Sequence, residues 1–354
     1  MKNIPSFISE ISDEMVNAAV SAFQNEKFIL GESVFKFEEE FAKYIGTKYA
    51  IAVNSGSSAI QLSLISLGLK KDADVITSTN SFVASANTIK MANGNPILAD
   101  IHESDGNINI DSIEKSADAI VPVHIYGNPC DFNKIREFAD GKKIPIVEDA
   151  CQAHGATFDG KKVGAIGDLG CFSFYPTKNM TVGGDGGMVT TDNEDLAKIV
   201  TSLRDNGRNE KNRALHERLG FTMRLNTINA AIGRVELREL DRKNKRRQEI
   251  YNLYKKNLKQ NILLSTNPNG ESVFHQIVIK HEKRDEIKEH LDKNGISTTI
   301  HYPIPIHKQP IYLEQNLSLP ISEEFSKKIL SLPSYPQLLD DDIMLICEKM
   351  NQVI

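Results

Sequence analysis

Short apolar runs alternate with stretches of helical spacing over the first two thirds of the chain. The apolar runs predict strands at Tyr49–Val53, Asp74–Ile76, Pro96–Ala99, Ala119–Val123, Pro145–Val147 and Met188–Thr191. The stretches with helical spacing predict helices at Ala59–Leu69, Ser81–Ala92, Asp131–Ala139 and from Asn193. Such alternation is typical of a largely parallel sheet with helices on both faces. Because right-handed crossovers bring the carboxyl ends of the strands to one edge, we expect the functional residues there.

The two ends of the chain differ from this pattern. Residues 10–45 read as helical, and a long helical stretch from Asn226 to about Leu258 predicts a spine between two domains. Beyond the spine, the pattern predicts a strand, a helix, an extended stretch and a last helix, at Phe274–Ile279, Asp285–Lys293, Ser297–Tyr302 and from Asp340. We therefore expect a large α/β domain over residues 1–240 and a small α+β domain over residues 241–354.

Composition places the chain among soluble globular proteins. Of its 354 residues, 40% are hydrophobic and 25% charged, and the net charge of −5 argues against a nucleic-acid or anionic-membrane partner. The basic run at residues 242–247 continues the long helical pattern and is interpreted as a solvated helix face. The opening segment MKNIPSFISE lacks the apolar core of a signal peptide, and no stretch is long enough for a membrane span. We therefore expect a cytoplasmic location.

A lysine follows one of the most apolar segments of the chain. Cys171, Phe172, Phe174 and Tyr175 predict a short buried strand that Pro176 ends, and Lys178 comes just after this break. A lysine carried from a strand end into an apolar setting loses solvation, which lowers its pKa and favours the neutral amine that Schiff-base chemistry needs. Taken alone, however, Lys178 could equally be a solvated surface lysine.

Two further strand ends carry polar groups. The turn Asn54–Ser58 lies between a strand and a helix, where backbone amides and hydroxyls can bind a phosphate or simply cap the helix. The strand that ends in Glu148 and Asp149 places a carboxylate at the sheet edge. Asp149 could pair with a cationic ring nitrogen, or it could cap a helix that follows. Gln152 and His154 come next and could be hydrogen-bonding residues of the same turn.

A phosphate turn, a strand-end aspartate and a strand-end lysine, in that order, are what pyridoxal phosphate requires. The chain resembles the DegT/DnrJ/EryC1/StrS sugar aminotransferases over nearly its whole length. The motifs that carry the resemblance are SGSSAI (55–60), VEDACQAHGA (147–156), FSFYPTKN (172–179), GDGG (184–187), RLNTINAAIG (224–233), HYPIPIH (301–307) and SLPSYPQL (331–338). The resemblance implies fold type I, with a mostly parallel sheet of seven-stranded type between helices and a smaller C-terminal α+β domain.

The resemblance also implies roles for individual residues in cofactor binding. Lys178 would bind pyridoxal phosphate covalently, and Asp149 would pair with the pyridine nitrogen. The amides of Gly56 and Ser57 would hold the phosphate. The other cofactor contacts that the resemblance implies are a hydroxyl at Ser173 on the phosphate, a stacked ring at Phe82 and an amide at Gln152 near the 3-hydroxyl group.

A homodimer with shared active sites is implied as well. The polar loop between Arg204 and Arg218, together with Thr222, would reach the active site of a partner subunit. Relatives usually carry asparagine where this chain has Thr222. A threonine side chain is shorter than asparagine, and its hydroxyl replaces the amide only in part. This difference puts in doubt the contact of Thr222 with the phosphate across the dimer.

The activity implied by the resemblance is transamination with an amino acid donor, L-glutamate. The acceptor would be a nucleotide-linked 3- or 4-keto-6-deoxysugar, which becomes an amino sugar. Relatives that dehydrate sugars carry histidine in place of the lysine, so Lys178 argues against that branch. Two alternatives stay open, an aminotransferase acting on a keto-cyclitol and a non-catalytic regulatory relative.

No metal site is expected. The histidines and tyrosine of the motif HYPIPIH, which are His301, Tyr302 and His307, have a spacing that fits no common metal motif, and we interpret them as structural or as residues at the substrate edge. The cysteines Cys130, Cys151, Cys171 and Cys347 form no C-x-x-C pair and show no metal-type spacing with histidine.

Overall fold

A computed structural model describes residues 3–141 and 143–354. Within these residues the helices are α1 (Asp13–Asn25), α2 (Glu32–Ile45), α3 (Gly56–Ser66), α4 (Ala84–Met91), α5 (Phe132–Asp140), α6 (Glu194–Arg204), α7 (Thr227–Asn257), α8 (Arg284–Lys293), α9 (Pro320–Lys328) and α10 (Asp340–Met350). The strands are β1 (Tyr49–Val53), β2 (Asp74–Ser78), β3 (Asn95–Ala99), β4 (Ala119–Val121), β5 (Val147–Asp149), β6 (Thr157–Phe158), β7 (Lys161–Lys162), β8 (Leu169–Ser173), β9 (Gly187–Thr191), β10 (Gly270–Glu271), β11 (Ile277–Lys280) and β12 (Ile329–Leu332).

A seven-stranded sheet forms the centre of the large α/β unit. Its strands lie in the order β1-β9-β8-β5-β4-β2-β3, since parallel bridges from Ile120 to Ile146 and from Val123 to Asp149 join the group β1-β9-β8-β5 to the group β3-β2-β4. All neighbouring pairs from β8 to β3 are parallel, whereas β9 is antiparallel to both β1 and β8. The prediction of an α/β fold with a mostly parallel sheet of this size is confirmed.

The antiparallel strand follows from the connection that precedes it. Strands β8 and β9 are linked by residues 174–186, which contain no helix. A parallel return would need a crossover long enough to travel back along the sheet, usually with a helix. Because this connection instead turns near the strand end, β9 runs back beside β8, and the connecting residues stay at the carboxyl edge of the parallel strands.

Aromatic side chains hold β8 against the helices on one face of the sheet. The ring centroids of Phe41 and Phe172 lie 5.0 Å apart, and those of Phe37 and Phe174 lie 5.3 Å apart. All four side chains are fully buried. Edge-to-face and tilted pairs of this kind contribute about 0.5–1.5 kcal/mol each beyond the burial of their area. They fix the strand that leads directly to Lys178.

The helical segment predicted for residues 10–45 is two helices, α1 and α2, separated by a turn. The Glu26 carboxylate accepts hydrogen bonds from the backbone N–H and the hydroxyl of Ser33 and so caps the start of α2. At Gly31 a β-carbon would lie 2.6 Å from the Lys27 carbonyl oxygen, so only glycine fits. The helical prediction is wrong for residues 26–31, because side-chain capping, which helical periodicity does not report, starts a second helix there.

Helix α7 agrees with the predicted spine to within one residue at each end. Asn226 caps its start by accepting a hydrogen bond from the Asn229 amide at 2.9 Å. The interpretation of residues 242–247 as a solvated face is wrong at Lys243 and Arg247, which are buried. The Lys243 ammonium is paired with the buried Glu236 carboxylate at 2.7 Å. No helix among the described residues, α7 included, is long and apolar enough to cross a membrane.

The C-terminal part of the chain has a hydrophobic cluster of its own. The side chains of Ile250 and Tyr254 on α7 pack there with those of the antiparallel pair β11–β12 and of helices α8 and α10. Ile4, near the start of the chain, is buried in the same cluster. The predicted division at residue 240 falls inside α7 and stays a prediction.

We expect Gly170→Ala to lower the free energy of unfolding by about 2 kcal/mol or more. A β-carbon at this position of β8 would lie 2.5 Å from both the Gly164 carbonyl oxygen and the Thr190 hydroxyl oxygen, so backbone would have to move. Gly141→Ala is the matched control, because no heavy atom lies within 4 Å of its added carbon. Denaturant unfolding measures both variants, and equal midpoints would contradict the expectation.

Candidate active site

A cavity of about 480 Å³ opens at the carboxyl edge of the central sheet. Its wall brings together eight of the residues singled out in the sequence, namely Gly56, Ser57, Phe82, Asp149, Gln152, Ser173, Lys178 and Tyr302. They come from the ends of different strands, from the start of α3, from the segment before α4 and from the C-terminal part of the chain. The expectation that functional groups meet at this edge therefore agrees with the structure.

Lys178 lies in the connection between β8 and β9, where its amide donates a hydrogen bond to the Tyr175 carbonyl at 2.8 Å. Its side chain forms part of the cavity wall and keeps only partial contact with solvent. Burial lowers the pKa of this lysine, while the neighbouring Cys151 and Asp149 act in the opposite direction. A lowered pKa increases the fraction of neutral, nucleophilic amine near pH 7.

The residue after the lysine anchors this connection. Asn179 is buried, and its side-chain NH₂ donates to the Asn244 side chain at 2.8 Å and to the Val273 carbonyl at 3.1 Å. The side-chain oxygen of Asn179 lies 3.1 Å from Nδ1 of His275. These contacts reach α7 and the segment before β11, so Lys178 is held between the large unit and the C-terminal part.

Asp149 ends β5 with a carboxylate that is 4% exposed. One carboxylate oxygen accepts a hydrogen bond from the Ser85 hydroxyl at 2.7 Å, and the other accepts one from the Cys151 amide at 3.2 Å. Residues 150–156 form turns, so Asp149 does not cap a helix. No lysine or arginine among the described residues forms a salt bridge with this carboxylate, which keeps free lone pairs at the cavity wall.

The turn after β1 supplies a site for an anion. Helix α3 begins at Gly56, and the Ser55 hydroxyl caps it by accepting a hydrogen bond from the Ser58 amide at 3.0 Å. The first amides of a helix have no acceptor within it, and the helix dipole favours negative charge at this end. Gly56 packs so closely that a β-carbon would lie 2.7 Å from the Cys151 sulfur. The turn thus caps the helix and also leaves the amides of Gly56 and Ser57 for a phosphate.

Gln152 links the floor of the cavity to the C-terminal part of the chain. Its carbonyl oxygen accepts a hydrogen bond from the Tyr126 amide at 2.8 Å, and its NH₂ donates to the Tyr302 hydroxyl at 3.2 Å. The Tyr302 ring lies 6.2 Å from the ring of Phe82, which is 56% exposed. The Tyr126 hydroxyl donates to the His301 carbonyl and holds the same segment. The structure therefore brings Tyr302 to the cavity.

The two histidines of the same motif are engaged elsewhere. Nδ1 of His301 lies 2.9 Å from the Ser331 hydroxyl, and burial lowers the pKa of His301 to about 4. His307 is buried, with Nδ1 at 2.7 Å from the Thr79 hydroxyl and Nε2 at 3.1 Å from the Glu323 carboxylate. Neither histidine is part of the cavity wall, so a direct contact with substrate stays a prediction for both.

Thr222 also lies outside the cavity of its own chain. Its hydroxyl donates to the Asn206 side chain at 3.0 Å, and the residue is exposed. The loop before it contains Asp205, a buried carboxylate that pairs with Arg213 and Arg224 at 2.9 Å each. Across residues 3–141 and 143–354, no group of His, Cys, Asp and Glu side chains is arranged to hold a metal ion.

Several residues of the cavity wall were not found from the sequence. They are Ser81, Ser85, Cys151, Tyr175, Thr177 and Asp185. Ser81 and Ser85 stand one helical turn apart at the start of a predicted helix, and this spacing was a usable signal for two hydroxyls on one side. Asp185 belongs to the glycine-rich turn 183–187, for which the sequence suggested no chemistry.

Comparison with known proteins gives matches along nearly the whole chain. The profile of the DegT/DnrJ/EryC1/StrS aminotransferase family matches residues 9–351. The chain is 37% identical over 339 residues to the dTDP-3-amino-3,4,6-trideoxy-alpha-D-glucose transaminase of Streptomyces venezuelae, covering 93% of this chain and 89% of that protein.

Solved structures match the fold as closely. The X-ray structure of S. venezuelae DesV in complex with a ketimine intermediate has a TM-score of 0.92 at 35% identity, covering 96% of this chain and 94% of that one. The structure of NtdA from Bacillus subtilis with bound cofactor PMP has a TM-score of 0.90 at 30% identity, covering 99% and 86%.

Proposed function

The chain belongs to the DegT/DnrJ/EryC1/StrS aminotransferase family and is an aminotransferase, and we propose that it transfers the amino group of L-glutamate to the keto group of a nucleotide-linked 3- or 4-keto-6-deoxysugar. The product is an amino sugar for a polysaccharide, a cell-surface glycan or a glycosylated metabolite. The observation that carries the proposal is the meeting in one cavity of a lysine with a lowered pKa, a strand-end carboxylate and a helix N-terminus. The relative named as a dTDP-sugar transaminase supports a nucleotide-linked keto sugar as the acceptor.

The polar groups of the cavity fit pyridoxal phosphate. The amides of Gly56 and Ser57 and the hydroxyl of Ser173 would hold its phosphate, and Asp149 would accept a hydrogen bond from its protonated ring nitrogen. Phe82 would cover one face of the ring. When bound, pyridoxal phosphate supplies a carbonyl carbon for the amine and a ring that accepts the electrons released at the donor's α carbon.

Lys178 has two tasks in this proposal. Between turnovers its amine would hold the cofactor covalently, and this bond would require the neutral amine that the lowered pKa favours. When free of the cofactor, the Lys178 amine would move a proton between the donor's α carbon and C4′ of the cofactor. The anchored Asn179 keeps the lysine backbone in place during both tasks.

The mouth of the cavity would accept the sugar. Phe82 and Tyr175 are both more than half exposed there, and an apolar ring face is a common contact for a pyranose. Tyr302 lies at the same edge with its hydroxyl fixed by Gln152. His301 and His307 would act at the substrate edge by supporting the segment that carries Tyr302.

We also propose a homodimer in which Thr222 and the loop 204–218 complete the partner's active site. Large apolar side chains that are exposed in one chain support it, among them Val16, Val20 and Phe23 on α1. They lie three or four residues apart and so share one face of the helix. A contiguous exposed apolar face is typical of an interface. The molar mass of the protein in solution tests the proposed dimer. The cytoplasmic location expected from the sequence stays a prediction.

The experiment that tests the proposed function separates the two halves of the reaction. L-Glutamate added to the holoenzyme should bleach the absorbance of the bound cofactor. Protein loaded with pyridoxamine phosphate is then mixed with a panel of nucleotide-linked 3- and 4-keto-6-deoxysugars, and we expect one of them to restore that absorbance. The same keto sugars without their nucleotide serve as the control, which shows whether the protein recognises the nucleotide.

Each alternative has its own outcome in this experiment. If no sugar restores the absorbance but a keto-cyclitol does, the acceptor is a cyclitol. If purified protein contains no cofactor and does not bind added pyridoxal phosphate, the chain is a non-catalytic regulatory relative. Either result would overturn the proposed acceptor.

A further inference from the structure

A row of two hydroxyls leads from the segment before α4 to the carboxylate of Asp149. The oxygen atoms of Ser81 and Ser85 lie 2.9 Å apart, and the Ser85 hydroxyl donates to the Asp149 carboxylate at 2.7 Å. The exposed fractions of Ser81, Ser85 and Asp149 are 4%, 2% and 4%. All three residues nevertheless form part of the cavity wall. The two hydroxyls thus form a buried hydrogen-bonded row that ends at the carboxylate beside the expected position of the cofactor ring.

The chemistry of the groups fixes the direction of these hydrogen bonds. An ionised carboxylate only accepts, so the single hydroxyl proton of Ser85 is committed to Asp149. The contact between the two serines must therefore use the proton of Ser81, with the Ser85 oxygen as acceptor. Hydrogen bonds that polarise each other in one direction strengthen each other, and a donor to an ionised group forms the stronger kind of bond.

The row also controls how the carboxylate is oriented. Rotation about the last side-chain bond of Asp149 is limited by one hydrogen bond to each oxygen, from Ser85 on one side and from the Cys151 amide on the other. The Asp149 backbone is held by β5, where its amide donates to the Pro122 carbonyl at 2.9 Å. No salt bridge to this carboxylate exists among the described residues, so its side-chain donors are uncharged, namely the Ser85 hydroxyl and the Cys151 thiol.

We propose that Ser85 is a positioning residue that fixes the Asp149 carboxylate for the protonated ring nitrogen of the cofactor, with Ser81 as its support. The proposal rests on the proposed function, because both concern the same cofactor site. Without the Ser85 hydroxyl, the carboxylate keeps only the donors of Cys151 and can rotate away from the ring nitrogen. The ring nitrogen would then hold its proton less firmly, and the ring would accept electrons less readily.

Ser85→Ala tests the proposal in holoenzyme loaded with pyridoxal phosphate that carries ¹⁵N at the ring nitrogen. We expect the ¹⁵N resonance to move from the position of a protonated pyridine toward that of an unprotonated one. We also expect the bleaching by L-glutamate to slow by roughly ten- to a hundredfold, the loss that follows from one hydrogen bond to a charged group. Ser81→Ala should change both readouts in the same direction by a smaller amount.

Ser66→Ala is the matched control. Ser66 is 5% exposed, lies on the neighbouring helix α3 and donates its hydroxyl to the Ser63 carbonyl at 2.7 Å, with no contact to Asp149. This variant should leave the ¹⁵N resonance where the unchanged protein has it. If Ser85→Ala does not fold, Ser81→Ala is the variant to measure. It retains the bond between Ser85 and Asp149 and so should fold, but it removes the support that Ser81 gives to Ser85.

An unchanged ¹⁵N resonance in the folded serine variants would overturn the proposal. So would a shift of equal size in Ser66→Ala. The outcome is separable from the proposed function, because the resonance is measured without any sugar. Suppose that the wild-type protein accepts no keto sugar but Ser85→Ala shows the expected ¹⁵N shift. The proposed acceptor would then be wrong, and the proposed role of Ser85 would stand.

Discussion

Lys178→Ala is expected to lower turnover by about four orders of magnitude or more, because one amine provides both the covalent attachment and the proton transfer. The cofactor absorbance of the purified variant should shift to that of unattached pyridoxal phosphate. Borohydride reduction followed by peptide mass measurement should label Lys178 in the unchanged protein and no lysine in the variant. Turnover is measured with L-glutamate and the sugar that the panel identifies.

Lys162→Ala provides the matched control for this expectation. Burial lowers the pKa of Lys162 as it does that of Lys178, but its ammonium donates to the Tyr44 carbonyl at 2.8 Å and lies 3.4 Å from the centre of the Tyr44 ring. Because Lys162 is not part of the cavity wall, its loss should leave absorbance and turnover nearly unchanged. Normal turnover of Lys178→Ala would contradict the proposed mechanism. Equal losses in both variants would point instead to a general effect of removing a half-buried lysine.

The candidate site could be predicted from the sequence where a polar residue directly follows an apolar strand. Lys178, Asp149 and Ser57 stand within a few residues of a strand end, and parallel strands bring such ends to one edge. The resemblance to known sugar aminotransferases added Phe82 and Ser173, which the local pattern alone does not mark. All of these residues are in one cavity wall, as the structure shows.

The contacts that support these residues could not be predicted in the same way. The bond between Ser85 and Asp149 joins positions 64 residues apart, and the bond between Asn179 and Asn244 joins positions 65 residues apart. Hydrophobic periodicity reports which side chains face the core, but it carries no information on which polar side chains meet. The position of such donors becomes visible only when the helices are packed on the sheet.

Charge patterns were misleading for a related reason. The run at residues 242–247 reads as solvated because lysine and arginine are seldom fully buried. On α7, however, Lys243 faces the buried Glu236 carboxylate, and the Arg247 guanidinium donates to the Ser334 carbonyl. Burial of a charge is tolerated when a partner is provided, and the partners here come from two turns away along α7 and from just after β12. A prediction from composition alone has no access to that pairing.

Asp149→Asn is expected to lower turnover by roughly two to three orders of magnitude, because the amide is uncharged and cannot stabilise a protonated ring nitrogen as a carboxylate does. Its oxygen can still accept a hydrogen bond from the Ser85 hydroxyl, so the variant should fold and should bind the cofactor. The new NH₂ group would face the Cys151 amide, which now donates to the carboxylate at 3.2 Å, so we expect a loss of about 1–3 kcal/mol of stability beside the loss of rate. Rate measurements per cofactor-loaded protein, together with thermal unfolding, separate these two effects.

Asp100→Asn should lose stability without losing rate and serves as the control. Asp100 follows β3 at the same edge of the sheet and is 5% exposed, so its place in the fold closely matches that of Asp149. Its carboxylate, however, accepts hydrogen bonds from the backbone amides of Ile321 and Ser322 at 3.1 and 2.9 Å and so holds the start of α9. The amide NH₂ of asparagine would face one of these donors, which should cost about 1–3 kcal/mol of stability. Because Asp100 is not part of the cavity wall, the rate per folded molecule should stay unchanged. If Asp149→Asn instead lost stability and kept its rate, Asp149 would have the structural role that Asp100 has, and the ring nitrogen of the cofactor would need a different partner.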